Sequence, residues 1–277
     1  MRIPFTKMHG AGNDFIVIDN RPGYLSGMEH ERIRWLCDRH LGIGADGLML
    51  IEPATDADFS LAYFNADGYP AEICGNGARC AVVFAKEHGF FEHTVGITIA
   101  TAHQQYQAKY INSHRAAVRF AVPQPFEEKP RLASEIQANA VWYGNTGVPH
   151  VVVWMDELPD SSKIVELGRF LRYHPEFQPA GTNVNVIAIR ESGWLRARVY
   201  ERGVEAETLA CGTGALACAV AAHQFLSMNW PILVEYPGGV LQVSREEAAP
   251  FLWLEGPVAT VFDGVVEIPD ADTGELA

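Results

Sequence analysis

The sequence has little positive charge and no long apolar stretch, and each shortage excludes a class of function. The net charge of −13 leaves no basic face for a nucleic acid. No apolar run approaches the roughly 20 residues of a membrane-spanning helix, and residues 1–7 contain no apolar segment of signal-peptide length. We therefore expect a globular protein of the cytoplasm that binds neither nucleic acid nor membrane.

The short spacings that are typical of metal sites are missing as well. Cys74 and Cys80 are six positions apart, Cys211 and Cys218 are seven apart, and the ten histidines include no His-x-x-x-His pair. The five lysines lie in no catalytic context, which argues against the Schiff base of pyridoxal phosphate. We expect neither a metal nor a cofactor.

A G-x-G-x-x-G pattern at residues 42–47 does not indicate a dinucleotide site. In the dinucleotide fingerprint the glycines follow a strand and open a helix. Here residues 28–41 have helical spacing and precede the glycines, with Ile33, Leu36, Cys37 and Leu41 predicted on one side. A strand-like segment follows the glycines.

Two similar segments dominate what is present. Residues 71–78 read Ala-Glu-Ile-Cys-Gly-Asn-Gly-Ala, and residues 208–215 read Thr-Leu-Ala-Cys-Gly-Thr-Gly-Ala. An apolar run follows each and predicts a helix that is buried on all sides, over about 76–88 and up to about 226. A cysteine at such a helix start faces unpaired N–H groups and the positive end of the helix dipole, which favours a reactive thiolate.

Two such segments suggest a duplicated half. If the halves face each other, Cys74 and Cys211 lie on opposite sides of one pocket, and the N–H groups of both helix starts hold a carboxylate. One thiolate then removes the proton next to that carboxylate, and the opposite thiol delivers a proton to the other face. A lone cysteine is usually a small buried apolar residue, and this interpretation stays for Cys37, Cys80 and Cys218.

The rest of the chain predicts an α+β fold. Strands outnumber helices, and hairpin-length links favour antiparallel pairing. We predict two pseudo-symmetric domains, each a curved, mostly antiparallel sheet wrapped around a central buried helix. Residues 1–122 form the half with the Cys74 loop, residues 123–261 form the half with the Cys211 loop, and a last strand at about 262–270 returns to the first half.

Several polar residues are candidates for substrate binding. Glu201 and Arg202 precede the second cysteine segment, where Arg suits a carboxylate and Glu suits an ammonium group; the alternative is an exposed ion pair of little energetic value. His150 either orients a thiolate or is structural. Four asparagines lie in turn-like loops, and each could instead cap its own turn: Asn13, Asn65, Asn76 and Asn183.

The chain resembles the diaminopimelate epimerase family along most of its length. The matching motifs, in chain order, are Lys7-Met8-His9-Gly10-Ala11-Gly12-Asn13-Asp14-Phe15, Gly42-Ile43-Gly44-Ala45-Asp46-Gly47, Asn65-Ala66-Asp67-Gly68, Cys74-Gly75-Asn76-Gly77-Ala78-Arg79-Cys80, Gly181-Thr182-Asn183-Val184-Asn185, Tyr200-Glu201-Arg202-Gly203 and Cys211-Gly212-Thr213-Gly214-Ala215.

The resemblance implies a cofactor-independent epimerase that converts LL-2,6-diaminopimelate to the meso form for lysine and peptidoglycan precursor synthesis. Cys74 is then the proton donor and Cys211 the proton acceptor, and His150 and Glu201 tune their pKa values. The substrate-binding residues that it implies are Asn13, Asn65, Gly75, Asn76, Asn183, Glu201, Arg202, Gly212 and Thr213. Apart from the resemblance, we expect a homodimer as one form of the protein, although the sequence does not fix the oligomeric state.

The chain departs from the family pattern at three places. Val148 stands where many members have asparagine, Tyr69-Pro70 replaces a serine and a small or polar residue, and the segment from Glu205 to Thr208 is one residue longer. These departures affect substrate contacts more than thiol chemistry.

Three alternatives remain open. A proline or hydroxyproline racemase has a similar architecture but carries histidine at the position of Asn76. An isomerase of the phenazine-biosynthesis type resembles the fold without the cysteine pair. A non-catalytic binding protein for a dicarboxylic amino acid needs Arg202 but not both thiols.

Overall fold

The computed structural model describes residues 1–25, 30–71, 75–191, 193–247 and 249–268. Within these residues the α-helices are α1 (His30–Cys37), α2 (Gly75–Glu87), α3 (Pro130–Glu135), α4 (Ser161–Arg172) and α5 (Gly212–Leu226). The strands are β1 (Arg2–Gly10), β2 (Asn13–Asp19), β3 (Gly47–Glu52), β4 (Phe59–Asn65), β5 (Val95–Ala100), β6 (Gln105–Asn112), β7 (Arg115–Ala121), β8 (Glu127–Glu128), β9 (Ala140–Asn145), β10 (Pro149–Trp154), β11 (Asn183–Glu191), β12 (Trp194–Glu201), β13 (Ala206–Thr208), β14 (Ile232–Tyr236), β15 (Gly239–Arg245), β16 (Phe251–Pro257) and β17 (Ala259–Glu267).

The chain divides into two compact units. Unit 1 comprises residues 1–118 and 257–277, and unit 2 comprises residues 119–256. The divisions fall within β7 and at the last residue of β16, because each of these strands continues from one unit into the other. The boundaries predicted from the sequence were 122/123 and 261/262.

Unit 1 contains the strand order β17-β1-β2-β3-β4-β5-β6-β7. Neighbouring strands are antiparallel except for two parallel pairs, β2 with β3 and β4 with β5. Parallel neighbours need a crossover connection. Here α1 lies in the first crossover and α2 in the second.

Unit 2 repeats this arrangement with the order β8-β9-β10-β11-β12-β14-β15-β16. The parallel pairs are again the third and the fifth in the row, β10 with β11 and β12 with β14. Their crossovers contain α4 and α5. The two units therefore share one topology, and the predicted α+β fold of two pseudo-symmetric domains is confirmed.

A buried helix forms the centre of each unit. Residues 75–85 of α2 are buried, as are Gly212 and residues 214–222 of α5. α2 contacts β1, β2, β3 and β6, and α5 contacts β9, β10, β11, β14 and β15. The small side chains after each cysteine segment let these strands approach the helix closely. No helix among the described residues is long and apolar enough to cross a membrane.

The helix predicted at residues 28–41 is shorter in the structure. Its first two residues lie outside the described part of the chain, and α1 ends at Cys37. The Asp38 carboxylate accepts the N–H groups of His40 and Leu41 and turns the chain. Leu41 is consequently 71% exposed, and its predicted place beside Ile33 and Leu36 was wrong.

Candidate active site

Cys211 is the N-cap residue of α5. Its backbone is extended, and its Sγ accepts the N–H of Gly214 at 3.4 Å. The side chain is buried, at the positive end of a 15-residue helix. An N-cap acceptor satisfies one of the unpaired N–H groups, and the helix dipole favours negative charge there. The surroundings of Cys211 therefore favour the thiolate over the thiol.

A chain of polar side chains leads away from Cys211. Thr213 Oγ1 lies 3.4 Å from Cys211 Sγ and 3.0 Å from His150 Nε2. His150 is fully buried at the start of β10, and its Nδ1 lies 3.0 Å from the amide nitrogen of Asn185. Burial, together with the charge of Arg202, lowers the pKa of His150 to about 3. The imidazole is therefore neutral at neutral pH.

Asn185 is a residue of the site that sequence reasoning missed, beyond its place in a family motif. It is fully buried on β11, and its amide nitrogen also donates to the carbonyl of Val151 at 3.1 Å. Its amide oxygen has no hydrogen-bond partner among the described residues, and an unsatisfied buried group costs about 1–3 kcal/mol. The amide oxygen occupies the space that a side chain at Gly214 would need, so Gly214 is required there.

The ends of β11 and β12 hold the next group of predicted residues. Asn183 accepts the backbone N–H of Arg202 at 2.8 Å and donates to the carbonyl of Pro149 at 3.4 Å. The Arg202 guanidinium donates to the carbonyl of Ala180 at 3.0 Å. Glu201 accepts a hydrogen bond from Thr208. Asn183 thus joins the ends of three neighbouring strands.

In unit 1 the first turn of α2 corresponds to the first turn of α5. Cys74 lies outside the described residues, and Gly75 and Asn76 begin the helix, buried. The fully buried Arg79 donates to the carbonyl of Gly75 at 3.1 Å and to Asn76 Oδ1 at 2.7 Å. Arg79 was not predicted as part of the site, although it lies inside the segment that was predicted as a helix buried on all sides.

Asn13 is connected to this turn. Its Oδ1 accepts from Asn76 Nδ2 at 3.5 Å, and its Nδ2 donates to Asp46 at 2.7 Å. Arg39 bridges Asp46 and Asp14. The loop that carries the G-x-G-x-x-G pattern therefore holds the side chain of Asn13 in place through Asp46.

Asp14 belongs to the same charged cluster. Its carboxylate lies 2.7 Å from the ammonium of the buried Lys7 and 2.7 Å from Arg39. Burial alone raises the pKa of Asp14, but hydrogen bonds and charges from Arg39 and Lys7 outweigh it and hold that pKa below its usual range. The carboxylate is therefore ionised throughout the neutral range.

The topology brings the predicted residues to one end of each sheet. In unit 1, Asn13 begins β2, Gly47 begins β3, and Asn65 ends β4 opposite Gly47 in an exposed position. In unit 2 the corresponding places are the starts of β10 and β11 and the end of β12.

The departures from the family pattern lie around this end. Tyr69 is exposed and stacks on His30 at 4.8 Å. Asn145, near Val148, accepts the N–H of Gly147 and so caps its own turn. Glu205 has a left-handed backbone with φ of 57°.

The side chain of Glu205 holds this longer segment. It accepts hydrogen bonds from Gly203 N and from Arg172. The hydrogen bond from Arg172 therefore connects the longer segment to α4.

The remaining described cysteines, Cys37, Cys80 and Cys218, are buried. Burial raises the pKa of both Cys37 and Cys218 to about 12, so these two thiols stay protonated. Within the described part of the chain, no group of three or more His, Cys, Asp or Glu side chains is placed to hold a metal ion.

Comparison with known proteins finds related sequences over most of the chain. A family model described as diaminopimelate epimerase matches residues 5–110 and 142–261. The diaminopimelate epimerase of Hydrogenobaculum sp. (strain Y04AAS1) is 40% identical over 273 residues, covering 94% of this chain and 97% of that protein.

Two solved structures show the same fold at low identity. A PhzF-family phenazine biosynthesis protein from Bacillus anthracis matches with a TM-score of 0.70 and 16% identity, over 97% of this chain and 100% of that chain. A probable proline racemase from Agrobacterium radiobacter K84 matches with a TM-score of 0.65 and 18% identity, over 99% of this chain and 95% of that chain.

Proposed function

This chain belongs to the diaminopimelate epimerase family, and on that premise we propose that it converts LL-2,6-diaminopimelate to meso-diaminopimelate with no cofactor. It is an isomerase, and its reaction serves lysine and peptidoglycan precursor synthesis. The observation that carries the proposal is the placement of Cys211, whose sulfur caps a buried helix and accepts an N–H from its first turn. That placement suits a thiolate base.

The reaction is a proton transfer at one α-carbon. The Cys211 thiolate takes the α-proton, the C–H bond breaks, and its electron pair moves into the adjacent carboxylate, which gains enolate character. The Cys74 thiol then protonates the opposite face, which inverts the configuration. The neutral His150 and the carboxylate of Glu201 tune the thiols and take no proton from the substrate.

Stabilising the enolate is the demanding part of this reaction, because an α-proton beside a carboxylate is very weakly acidic. Fixed donors in a dry site supply most of such stabilisation in enzymes. We propose that the backbone N–H groups of Gly212 and Thr213, and those of Gly75 and Asn76, hold the reacting carboxylate. Asn13 supports this group, since Asp46 and Asn76 hold its side chain.

The distal end of diaminopimelate is itself an amino acid. We assign it to Asn65, Asn183, Glu201 and Arg202, of which the last three lie at the joined ends of β11 and β12. Arg202 would bind the distal carboxylate and Glu201 the distal ammonium group. A proline-type substrate has no such group to bind.

The location and assembly of the protein follow as further proposals. Thiols that must stay reduced suit the cytoplasm. A homodimer is supported by Val261 and Val265, which alternate with Asp263 on one side of β17 and are more than half exposed.

The test is an assay of reduced, dialysed protein without added cofactor, run once with a chelator and once without it. We expect LL-diaminopimelate to be converted to the meso form at the same rate with and without chelator, and D- or L-proline to remain unchanged. Turnover of proline alone would favour the racemase alternative. Tight binding of diaminopimelate without turnover would favour the binding-protein alternative.

A further inference from the structure

We propose that Asn185 is a positioning residue that sets the direction of the hydrogen-bond chain ending at Cys211, so that the Thr213 hydroxyl donates to a resting thiolate. The inference rests on the proposed function, because it states which of the two thiols is ionised before substrate arrives. It also assigns a role to a buried polar residue whose amide oxygen has no hydrogen-bond partner in the described part of the chain.

The direction of the chain begins at a group that can only accept. The carbonyl of Val151 receives a hydrogen bond from the Asn185 amide 3.1 Å away, so the group facing it is the NH₂. The second hydrogen of the same NH₂ points to His150 Nδ1, 3.0 Å away. His150 Nδ1 therefore accepts and carries no proton.

A neutral imidazole carries one proton on its two nitrogens. Since Nδ1 of His150 accepts, the proton is on Nε2, which donates to Thr213 Oγ1 at 3.0 Å. The hydroxyl hydrogen of Thr213 is then directed to Cys211 Sγ at 3.4 Å. Together with the N–H of Gly214, it gives the sulfur two donors, which stabilise the thiolate.

In the described residues of unit 1, apolar side chains occupy the positions that correspond to His150 and Asn185. His150 pairs with Asn183 in the β10–β11 register, and Phe15 pairs with Gly47 in the β2–β3 register. Two residues further along β11 and β3 lie Asn185 and Met49. Met49 and Phe15 pack against Gly77 of α2, as Asn185 packs against Gly214 of α5.

Phe15 and Met49 have no hydrogen to donate to a hydroxyl or a thiolate. The two cysteine segments are therefore similar in sequence but differ in the strands beneath them. The two donors at Cys211, the Thr213 hydroxyl and the N–H of Gly214, therefore assign the resting thiolate to Cys211.

Other titratable groups face the same region and do not take part in the chain. The Tyr236 hydroxyl lies near Gly214 and contacts Cys218 at 3.8 Å. Burial raises the pKa of both groups, so they stay neutral. Glu201 accepts from Thr208, and Arg202 is held by Ala180.

The direct test is the protonation of the His150 ring, measured by the nitrogen chemical shifts of labelled protein without substrate. We expect an unprotonated Nδ1 and a protonated Nε2. A protonated Nδ1 would overturn the proposal. This measurement uses the unsubstituted protein, so it decides the question even if a variant does not fold.

The second test is the pH dependence of Cys211 alkylation by iodoacetamide, followed on the Cys211 peptide by mass spectrometry. Asn185→Leu should shift the profile to higher pH and slow alkylation at pH 7 by about tenfold. Thr213→Val should act similarly, and Met49→Leu, at the corresponding position of unit 1, should leave the profile unchanged. An Asn185→Leu profile equal to that of the unsubstituted protein would contradict the proposal.

Neither readout uses diaminopimelate. If the protein epimerises another substrate, the His150 tautomer and the Cys211 alkylation profile would still be as expected. If it epimerises diaminopimelate but His150 has the opposite tautomer, neither result would be as expected. Failure of this inference is thus distinguishable from failure of the proposed function.

Discussion

At the scale of single residues, three of the described cysteines divide by their surroundings into two chemical groups. Cys211 accepts from an N–H at a helix start, whereas Cys37 and Cys218 are buried with a raised pKa. At neutral pH, a cysteine is a strong base or nucleophile only in its thiolate form. The division between reactive and inert thiols therefore follows from donors and burial.

Replacing one of the two proposed bases should abolish inversion. Cys74→Ala and Cys211→Ala each remove a proton-transfer group, so we expect kcat for epimerisation to fall by at least about 10²–10⁴-fold. The measurement is the rate of meso-diaminopimelate formation. Cys37→Ala is the matched control and should retain most of the activity, and equal losses in all three variants would contradict the assignment.

His150 should make the fold sensitive to acid. Its folded pKa of about 3 lies below the usual value of 6.5, so the unfolded chain binds the proton first. The contribution of the neutral His150 to the free energy of unfolding is complete above pH 6.5. This contribution is lost as pH falls towards 3, by at most about 1.4 kcal/mol per pH unit.

His150→Gln removes this titration. We expect urea unfolding between pH 7 and pH 4 to show a smaller acid loss in the variant than in the unsubstituted protein. Asp14 and other carboxylates contribute acid losses to both proteins, so the difference between them isolates the histidine. Identical pH dependence would mean that the pKa of His150 is the same in the folded and the unfolded chain, which would contradict the lowered pKa.

The sequence motifs identified Cys211 and His150 as candidates but not the role of Asn185. An asparagine between apolar residues of a strand is unusual, and Asn183-Val184-Asn185 was visible as such a signal. The partner of Asn185, however, is His150, 35 positions away. Only strand pairing brings these two residues together, and no local spacing in the sequence encodes that pairing.

At the scale of elements, the first turns of α2 and α5 have the same sequence pattern and different neighbours. A side chain at Gly77 would meet Met49 Sδ at 3.2 Å and Phe15 Cζ at 3.4 Å. A side chain at Gly214 would instead overlap the fixed amide of Asn185 and approach Cys211 Cβ to 3.1 Å. Glycine is therefore more strictly required at position 214 of α5 than at position 77 of α2.

Alanine at these two glycines should separate their roles. Gly214→Ala overpacks a rigid site and should lower the free energy of unfolding by about 1–3 kcal/mol. Gly77→Ala meets the movable end of a methionine and gains helix propensity, so its change should stay within about 1 kcal/mol. Urea unfolding with unchanged m-values measures both, and equal losses would contradict this difference.

Helices and strands with strong periodicity were predictable, and terminal residues were less so. The two apolar runs after the cysteines became α2 and α5. The helix over residues 28–41 was predicted too long. Its periodic pattern continues to Leu41, but the Asp38 side chain competes for the backbone N–H groups and ends the helix early.

At the scale of the whole molecule, the two units share one order of strand pairing and differ in a few positions on it. The repeated cysteine segments allowed the duplicated fold to be predicted. The alternation of parallel and antiparallel pairs was not predicted. The segment around α1 was predicted as a helix, but the sequence does not show that the strands on its two sides, β2 and β3, are neighbours in the sheet.

The proposed homodimer gives a prediction at this scale. The chain has a mass of 30.5 kDa, and light scattering coupled to size exclusion should give twice that value. Val265→Glu places a charge on the exposed side of β17 and should shift the mass towards the monomer, whereas Val95→Glu, an exposed valine on β5, should not. A monomer mass for the unsubstituted protein would contradict the dimer.

The central claim is that two different groups of the chain handle the proton, one on each face of the α-carbon. It is tested most directly by starting from LL-diaminopimelate in deuterium oxide and measuring deuterium in product and recovered substrate at low conversion. We expect the meso product to carry one deuterium at the inverted α-carbon while recovered substrate carries almost none. Equal deuterium in both, or none in the product, would contradict the two-base account.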